Sequence, residues 1–154
     1  MSQKKSKKVV KPSKNHPLIQ PYFVVLNNKA KNLFQWKKTD SVIKDQANHI
    51  YYQLKNVKAP LNWSATAIDI AASKYFRRTV KKETSIETLV ERIGQGFFTA
   101  AKKSQLFTTA NECHAFVEEL KYLIYSQKAA FNSPVWFNLE IGRASCRERV
   151  CVPV

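Results

Sequence analysis

The sequence has little glycine, little cysteine and no long apolar segment. Its 154 residues include only three glycines and three cysteines. So few glycines exclude a glycine-rich loop around phosphate, and no strand-like segment precedes Gly94-Gln95-Gly96. The longest apolar runs fall far short of the roughly 20 residues that a membrane-spanning helix needs, so no membrane association is expected. The charged start lacks a following apolar core, which excludes a secretory signal and favours a cytoplasmic protein.

Acidic residues are scarce relative to basic ones. The chain carries 26 Lys and Arg against 11 Asp and Glu, a formal net charge of +15. Such a balance attracts polyanions, including nucleic acid and nucleotides. Lysines are concentrated near the start of the chain, where Ser and Pro separate them, and this predicts a disordered basic leader over residues 1–17. A phosphate-binding arm is the alternative interpretation of the same segment.

The residues after the leader predict an α+β fold that is mainly α-helical. Pro21 interrupts the apolar run at 18–26, which therefore favours an extended anchoring segment over a helix. Two β-favouring runs, 41–44 and 50–54, flank turn-forming residues and predict a β-hairpin. Apolar residues then recur every three to four positions in three stretches between residues 64 and 124, which predicts about three amphipathic helices.

Polar residues mark where these helices begin. Ser64 is suited to cap the first helix. Thr84 with Glu87, and Thr109 with Glu112, have the spacing of a capping box, in which each side chain accepts from the other residue's free amide. The second and third helices are therefore predicted to begin at these pairs.

A short apolar segment follows the third helix. Pro134 ends any helix there and restricts Ser133 to extended geometry, so Val135 to Phe137 is predicted to be a short buried strand. The Asn-Ser pair before Pro134 lies at a corner where a chain often presents amides and a hydroxyl to a ligand. A capped turn without a ligand fits the same pattern.

Other candidate chemistry is sparse. Cys113 lies on the apolar stripe of the third helix and is predicted to be a core residue. His16, His49 and His114 share no helical face with a carboxylate at metal-ligand spacing, so we predict no metal site. A basic cluster fits either a phosphate site or a solvated helix end; it comprises Lys74, Arg77, Arg78, Lys81 and Lys82.

Residues 140–154 differ from the rest of the chain. Back-translated, the run from about Glu140 to Cys151 resembles a short-read sequencing adapter read as codons. We therefore interpret residues 140–154 as a sequencing-adapter or assembly artefact and leave them out of the fold prediction. Cys146 and Cys151 then drop out of the cysteine count, so no disulfide framework is predicted. Native sequence is expected to continue past residue 139.

Three blocks carry a resemblance to a known family. They are Trp63–Arg78 (WSATAIDIAASKYFRR), Lys82–Ile93 (KETSIETLVERI) and Glu119–Asn138 (ELKYLIYSQKAAFNSPVWFN). In this order and spacing they resemble the N-terminal region of adenosylcobalamin-dependent (class II) ribonucleotide reductases. The preceding segment 36–44 is similar to the family's N-terminal hairpin. The resemblance makes residues 18–138 an incomplete N-terminal domain that leads into the first strand of an otherwise missing ten-stranded α/β barrel.

The resemblance implies an enzyme, a ribonucleoside-diphosphate reductase, that makes deoxyribonucleotides by thiyl-radical chemistry. The parent protein is expected to bind adenosylcobalamin, a ribonucleotide substrate and a thioredoxin-type reductant, with a homodimer as one possible assembly. Ser133 matches the family residue that contacts the substrate nucleotide, so it is the predicted substrate-binding residue. The catalytic cysteines of the family belong downstream of residue 138, and the fragment alone is therefore expected to be inactive.

Two alternatives remain open from the sequence. The first is a basic helical module that binds nucleic acid, which would bind with a steep dependence on salt concentration. The second is a stand-alone nucleotide-binding or regulatory protein derived from the N-terminal region of such a reductase.

Overall fold

The computed structural model describes residues 19–78 and 82–139. The leader, the segment 79–81 and the proposed artefact at 140–154 lie outside these residues, so the predictions made for them remain predictions. The described elements are strands β1 (Trp36–Lys44) and β2 (Ile50–Pro60) and helices α1 (Ala65–Ile70), α2 (Ile86–Lys103), α3 (Ala110–Tyr125) and α4 (Ser133–Asn138). A 3-10 turn at Ala30–Leu33 precedes β1, and a π-helical turn at Ala71–Tyr75 directly follows α1.

The β-hairpin predicted from the sequence is confirmed, and its strands are longer than the two β-favouring runs. The strands pair antiparallel from Trp36 opposite Pro60 to Lys44 opposite Ile50, with two irregularities in register. The Oδ1 atom of Asp45 accepts from the amides of Ala47 and His49, both at 2.8 Å. These bonds close the turn at the tip of the hairpin, as expected for an aspartate in a tight turn.

The described segment before the hairpin contains no α-helix and is fixed to α3. One carboxylate oxygen of Glu119 accepts from the amides of Tyr22, Phe23 and Val24 at 2.8–2.9 Å. Its neighbour Glu118 accepts from the amide of Ala30 at 2.7 Å. The segment is therefore anchored through its backbone amides, but it bends at 22–24 and turns at 26–27, so the extended conformation predicted from the sequence is wrong there.

The first helix begins at the predicted cap but changes form before its end. The Oγ atom of Ser64 accepts from the amide of Ala67 at 3.2 Å, which confirms the cap. From Ala71 the backbone widens into a π turn, in which the amide of Phe76 donates to the carbonyl of Ala71. Such single π turns occur frequently at functional sites.

The two long helices pack together, and one of their two predicted caps is wrong. Thr109 and Glu112 form the predicted capping box of α3. The cap of α2 is Ser85, whose Oγ accepts from the amide of Thr88 at 3.0 Å, and Thr84 lies outside the helix. A capping box at Thr84 would need the Glu87 carboxylate to accept from the Thr84 amide. This carboxylate instead forms ion pairs with Lys31 and Lys58, so the predicted box is absent.

The strand predicted over 135–137 is also wrong, because this segment belongs to the short helix α4. Asn132 precedes the helix in an extended conformation, and Pro134 lies in its first turn, where its missing amide costs no helical hydrogen bond. The indole Nε1 of Trp136 donates to the carbonyl of Phe131 at 2.7 Å and holds the turn closed. The first strand of a barrel is therefore not found at these residues.

The core lies between the hairpin, α1, α2 and α3. Ile86, Leu89, Val90 and Ile93 on α2 are completely buried, as the apolar stripe of this helix predicted. The other fully or almost fully buried apolar residues include Val57, Ile68, Ile124 and Tyr125. The described residues contain no helix that combines the length and the apolar character needed to cross a membrane.

Candidate functional site

Ser133, the predicted substrate-binding residue, begins α4 and is exposed to solvent. Its Oγ atom lies 3.3 Å from the hydroxyl oxygen of Tyr75, the last residue of the π turn. Tyr75 was not predicted to belong to the site, because it is 58 positions from Ser133 in the sequence. The fold therefore brings two hydroxyl groups together at the corner that the sequence had singled out.

Aromatic contacts fix the ring of Tyr75. It stacks on Trp136 with 5.5 Å between ring centroids and 23° between the planes, and it contacts Phe137 at 5.3 Å. Offset-stacked and tilted pairs at these distances are favourable. Phe131, which precedes α4, stacks in turn on Phe97 of α2 at 5.1 Å. The hydroxyl pair is thus set on an aromatic platform shared by the π turn, α2 and α4.

A buried ion pair lies behind this platform. The Nε atom of Arg92 is 2.7 Å from Oε1 of Glu83, and the two side chains are only 5% and 7% exposed. The same guanidinium donates to the carbonyls of Trp136 at 3.0 Å and Tyr75 at 3.2 Å. Arg92 therefore connects the backbones of both segments that carry the hydroxyl pair, and Glu83 compensates its charge.

Arg92 was not predicted as a site residue, although its position on α2 carries a signal. Arg92 lies three residues after Leu89 and four before Gly96, and all three are buried on the same side of α2. A charge among buried positions needs a partner, and only the folded structure identifies it as Glu83.

Glu83 also joins the two ends of the segment around residues 79–81. Its Oε2 atom accepts from the amide of Arg77 at 2.9 Å, and its own amide donates to the Arg77 carbonyl at 2.9 Å. The guanidinium of Arg77 donates to the carbonyl of Leu139 at 3.1 Å, directly after α4. These bonds hold the residues around the candidate site to one another.

The predicted basic cluster does not form one shared phosphate cradle among the described residues. Arg77 bonds the Leu139 carbonyl, whereas Arg78 donates to the carbonyl of Ser73 at 2.7 Å and lies over the ring of Tyr52. Lys74 is exposed. Lys82 is also exposed, and Lys81 lies outside the described residues. The two arginines therefore have structural contacts of their own.

A second group of charges connects the 3-10 turn and β2 to α2. The carboxylate of Glu87 binds Lys31, at 2.8 Å, and Lys58. Hydrogen bonds from Lys31 and then from Lys58 lower the pKa of Glu87, and the bond to Glu87 raises the pKa of Lys31. Nothing in this cluster contacts Ser133, and its role is to join structural elements.

A buried lysine forms the third charged cluster, between α2 and α3. Lys121 is 9% exposed and binds Glu91 at 2.7 Å and Glu118 at 2.9 Å. Burial alone would lower the pKa of Lys121, but its hydrogen bonds to the two carboxylates outweigh burial and raise the pKa. The ammonium group therefore remains charged inside the protein.

Cys113 is buried, as predicted, and its Sγ atom lies 4.0 Å from the carbonyl of Phe98. Burial raises the pKa of this thiol, and the positive charge of Lys102 offsets the effect only in part. A thiol with a raised pKa is a poor nucleophile at neutral pH, because the thiolate is the reactive form. Cys113 is accordingly a structural residue.

The described histidines have separate neighbours, one at the hairpin tip and one on α3. The Nδ1 atom of His49 lies 3.2 Å from a carboxylate oxygen of Asp45 at the exposed hairpin tip. The ring of His114 packs against Phe98 at 4.8 Å. Residues 19–78 and 82–139 contain no group of three or more metal-ligating side chains. His16 lies outside these ranges.

The chain matches a known protein family over most of the hairpin and the first three helices. Residues 37–81 and 78–127 match a family model described as class II vitamin B12-dependent ribonucleotide reductase. These matches extend over more than half of the chain. The chain therefore belongs to the class II vitamin B12-dependent ribonucleotide reductase family, as the resemblance indicated.

Individual relatives agree with this assignment. The chain is 32% identical over 108 residues to a vitamin B12-dependent ribonucleotide reductase of Streptomyces coelicolor. The aligned region covers 68% of this chain and 11% of the relative. A reductase of Rhodopirellula baltica is 30% identical, covering 68% of this chain and 10% of the relative. A vitamin B12-dependent ribonucleotide reductase of Agrobacterium fabrum is 27% identical over 140 residues, and the alignment covers 68% of this chain and 11% of the relative. The chain thus spans about a tenth of the length of these relatives.

Proposed function

We propose that this chain is the N-terminal part of a cobalamin-dependent ribonucleoside-diphosphate reductase that makes deoxyribonucleotides. The observation that carries the proposal is the family match over residues 37–127. Because the chain spans about a tenth of its relatives, reduction is proposed as an activity of a longer parent polypeptide. The parent would act in the cytoplasm with a thioredoxin-type reductant, and a homodimer is its proposed assembly.

Within this reductase, Ser133 is proposed to contact the ribonucleotide substrate. Three features support the role: the side chain is exposed, its hydroxyl lies beside that of Tyr75, and the surrounding backbone is fixed by buried Arg92. A serine hydroxyl can donate one hydrogen bond and accept others, which suits phosphate and ribose oxygens. The contribution of this chain to the reaction would be substrate binding.

The catalytic steps are assigned to other parts of the parent. Thiyl-radical chemistry needs an accessible cysteine, and Cys113, the free cysteine among the described residues, is buried. The chain taken alone is therefore proposed to be inactive in ribonucleotide reduction.

Adenosylcobalamin is the proposed cofactor of the parent, but the described residues do not fit it by themselves. The cleft between the N-terminal segment and α3 has a volume of about 260 Å³, and another, lined by Phe98, Phe107 and Cys113, has about 210 Å³. A more open one, lined by Leu33, Phe34 and Leu61, has about 410 Å³. Each is too small to enclose a corrin ring. We therefore derive no step of the reaction through the cofactor from these residues.

The first experiment is to resequence the source locus across codons 130–160. The proposal expects the adapter-like codons to be absent and the frame to continue into sequence that contains cysteines. The polypeptide encoded there should then convert cytidine diphosphate to its deoxy form when adenosylcobalamin and a dithiol are present. The same reaction without adenosylcobalamin is the control and should give no product.

Two results would contradict the proposal. One is a genomic stop codon directly after Val154, which would favour a small binding protein. The other is a longer polypeptide that binds adenosylcobalamin but forms no deoxyribonucleotide. In either case salt-dependent binding to DNA or RNA, lost on deletion of residues 1–14, would favour the nucleic-acid-binding alternative.

A further inference from the structure

The hydroxyl groups of Tyr75 and Ser133 form a hydrogen-bonded pair at the surface of the protein. Their oxygens are 3.3 Å apart, and by position either hydroxyl could be the donor. The two residues come from different segments, the π turn and the first turn of α4. The pair therefore exists only because the fold places these segments side by side.

The phenol is held more rigidly than the serine. Its ring stacks on Trp136 and contacts Phe137, while its backbone carbonyl accepts from buried Arg92. A serine hydroxyl, in contrast, rotates freely about its C–O bond and takes the orientation that its partners impose. The fixed phenol is thus the group that orients the mobile one.

The different donor strengths of the two hydroxyl groups favour one direction of the hydrogen bond. A phenol is a stronger donor than an aliphatic alcohol, so Tyr75 donates to the Ser133 oxygen and leaves the serine proton free. Phosphate and ribose oxygens of a ribonucleotide accept hydrogen bonds, and a donor whose own oxygen already accepts a bond is strengthened by polarisation. The arrangement therefore presents Ser133 to solvent as an oriented donor.

We propose that Tyr75 is a positioning residue that holds the Ser133 hydroxyl as a donor toward an accepting oxygen of the ribonucleotide. This inference rests on the proposed function, because it assumes that Ser133 contacts the substrate. It adds a residue that acts through Ser133 and need not touch the substrate itself.

The test is a double-mutant cycle in the full reductase polypeptide that carries this sequence. Tyr75→Phe keeps the stacked ring and removes only the hydroxyl, and Ser133→Ala removes its partner. Each single variant is expected to raise the KM and the dissociation constant for cytidine diphosphate about two- to tenfold, the effect of one lost hydrogen bond. The double variant should bind no more weakly than Ser133→Ala, because Tyr75 acts only through Ser133.

Tyr52→Phe is the matched control. The Tyr52 hydroxyl donates to the carbonyl of Ala72 at 2.9 Å, so this variant also removes a phenol hydrogen bond to the helical segment 65–75. It should lower the thermal midpoint without changing the KM. Tyr75→Phe should instead raise the KM without lowering the thermal midpoint.

The outcomes distinguish a failure of the substrate-binding role of Ser133 from a failure of the positioning role of Tyr75. If Ser133→Ala binds cytidine diphosphate like the wild type, the substrate-binding role of Ser133 is wrong. If Ser133→Ala weakens binding but Tyr75→Phe does not, the role of Tyr75 alone is overturned. Additive effects in the double variant would likewise overturn it, because they would mean that Tyr75 acts independently of Ser133.

Discussion

Arg92 and Glu83 form an ion pair that is almost inaccessible to water, with 2.7 Å between Nε of the arginine and Oε1 of the glutamate. The same guanidinium bonds the carbonyls of Trp136 and Tyr75. One buried charge therefore holds together the two backbone segments that carry the candidate site. The site depends on this pair, although neither residue reaches the hydroxyl groups.

We predict that Arg92→Met is strongly destabilising. It would leave the Glu83 carboxylate buried without its cation, and loss of one partner of a buried pair costs about 3–5 kcal/mol. Urea unfolding followed by circular dichroism would measure the change in the free energy of unfolding. The matched control is Arg78→Met, because Arg78 is exposed and should contribute less than about 1 kcal/mol.

A second variant tests whether the unpaired charge is the cause. Glu83→Leu combined with Arg92→Met removes both charges and should recover part of the lost stability, because neither charge is then left without its partner. The interpretation fails if the double variant is as unstable as the sum of the two single variants.

The position of the α2 cap gives a second prediction. Ser85→Ala removes the oxygen that accepts from the Thr88 amide and should cost about 1 kcal/mol of unfolding free energy. Thr84→Ala is the neighbouring control and should cost less than about 0.5 kcal/mol. Urea unfolding of both variants compares them directly. A larger effect at Thr84 would restore the capping box that the sequence suggested.

Local patterns predicted the parts of the fold that local interactions determine. The hairpin turn at Asp45, the cap at Ser64 and the capping box at Thr109 all involve residues within four positions of each other. Their hydrogen bonds join residues close in sequence, so the sequence alone was sufficient to place them. The equally local box predicted at Thr84 failed because Glu87 binds Lys31 and Lys58 from other elements.

Features determined by distant residues escaped prediction. The segment at 135–137 has the apolar character of a strand, yet it is helical, and its backbone bonds the side chain of Arg92, 44 residues away. The pairing of Ser133 with Tyr75 spans 58 residues. The sequence identified Ser133 through a family resemblance, but nothing in its pattern indicated which residue would lie beside it.

The third prediction concerns Gly94, where α2 approaches α3 closely. A Cβ atom at this position would lie 2.4 Å from Cε of Lys121 and 3.2 Å from Cγ1 of Val117. Gly94→Ala would therefore displace the ammonium group that binds Glu91 and Glu118. We expect a net loss of about 1–2 kcal/mol from this overpacking, although alanine is intrinsically the better helix former by about 1 kcal/mol.

Two further variants make this test specific. Gln95→Ala changes the adjacent, exposed position of the same helix and should be neutral or slightly stabilising in urea unfolding. In a Lys121→Ala background the 2.4 Å clash disappears and only the milder contact with Val117 remains, so Gly94→Ala should destabilise much less. If its cost is unchanged there, displacement of Lys121 is not the cause.

The last prediction is a dependence of stability on pH that involves Glu87. Its pKa lies below the ordinary value of 4.5, because hydrogen bonds from Lys31 and Lys58 favour the charged carboxylate in the folded protein. A lowered pKa in the folded state means that the stabilisation is complete above the unfolded pKa. It is lost as the pH falls through the folded pKa. Acidification from pH 7 to pH 3 should therefore lower the free energy of unfolding.

Glu87→Gln isolates the contribution of this carboxylate. The variant should be less stable than the wild type at pH 7, and the difference should narrow at pH 3, where the wild-type carboxylate is increasingly protonated. Lys31→Met should likewise reduce the acid dependence, whereas Lys44→Met, exposed at the turn end of β1, should leave it unchanged. Equal differences between Glu87→Gln and the wild type at both pH values would mean that the ion pairs of Glu87 do not contribute to the acid sensitivity of the fold.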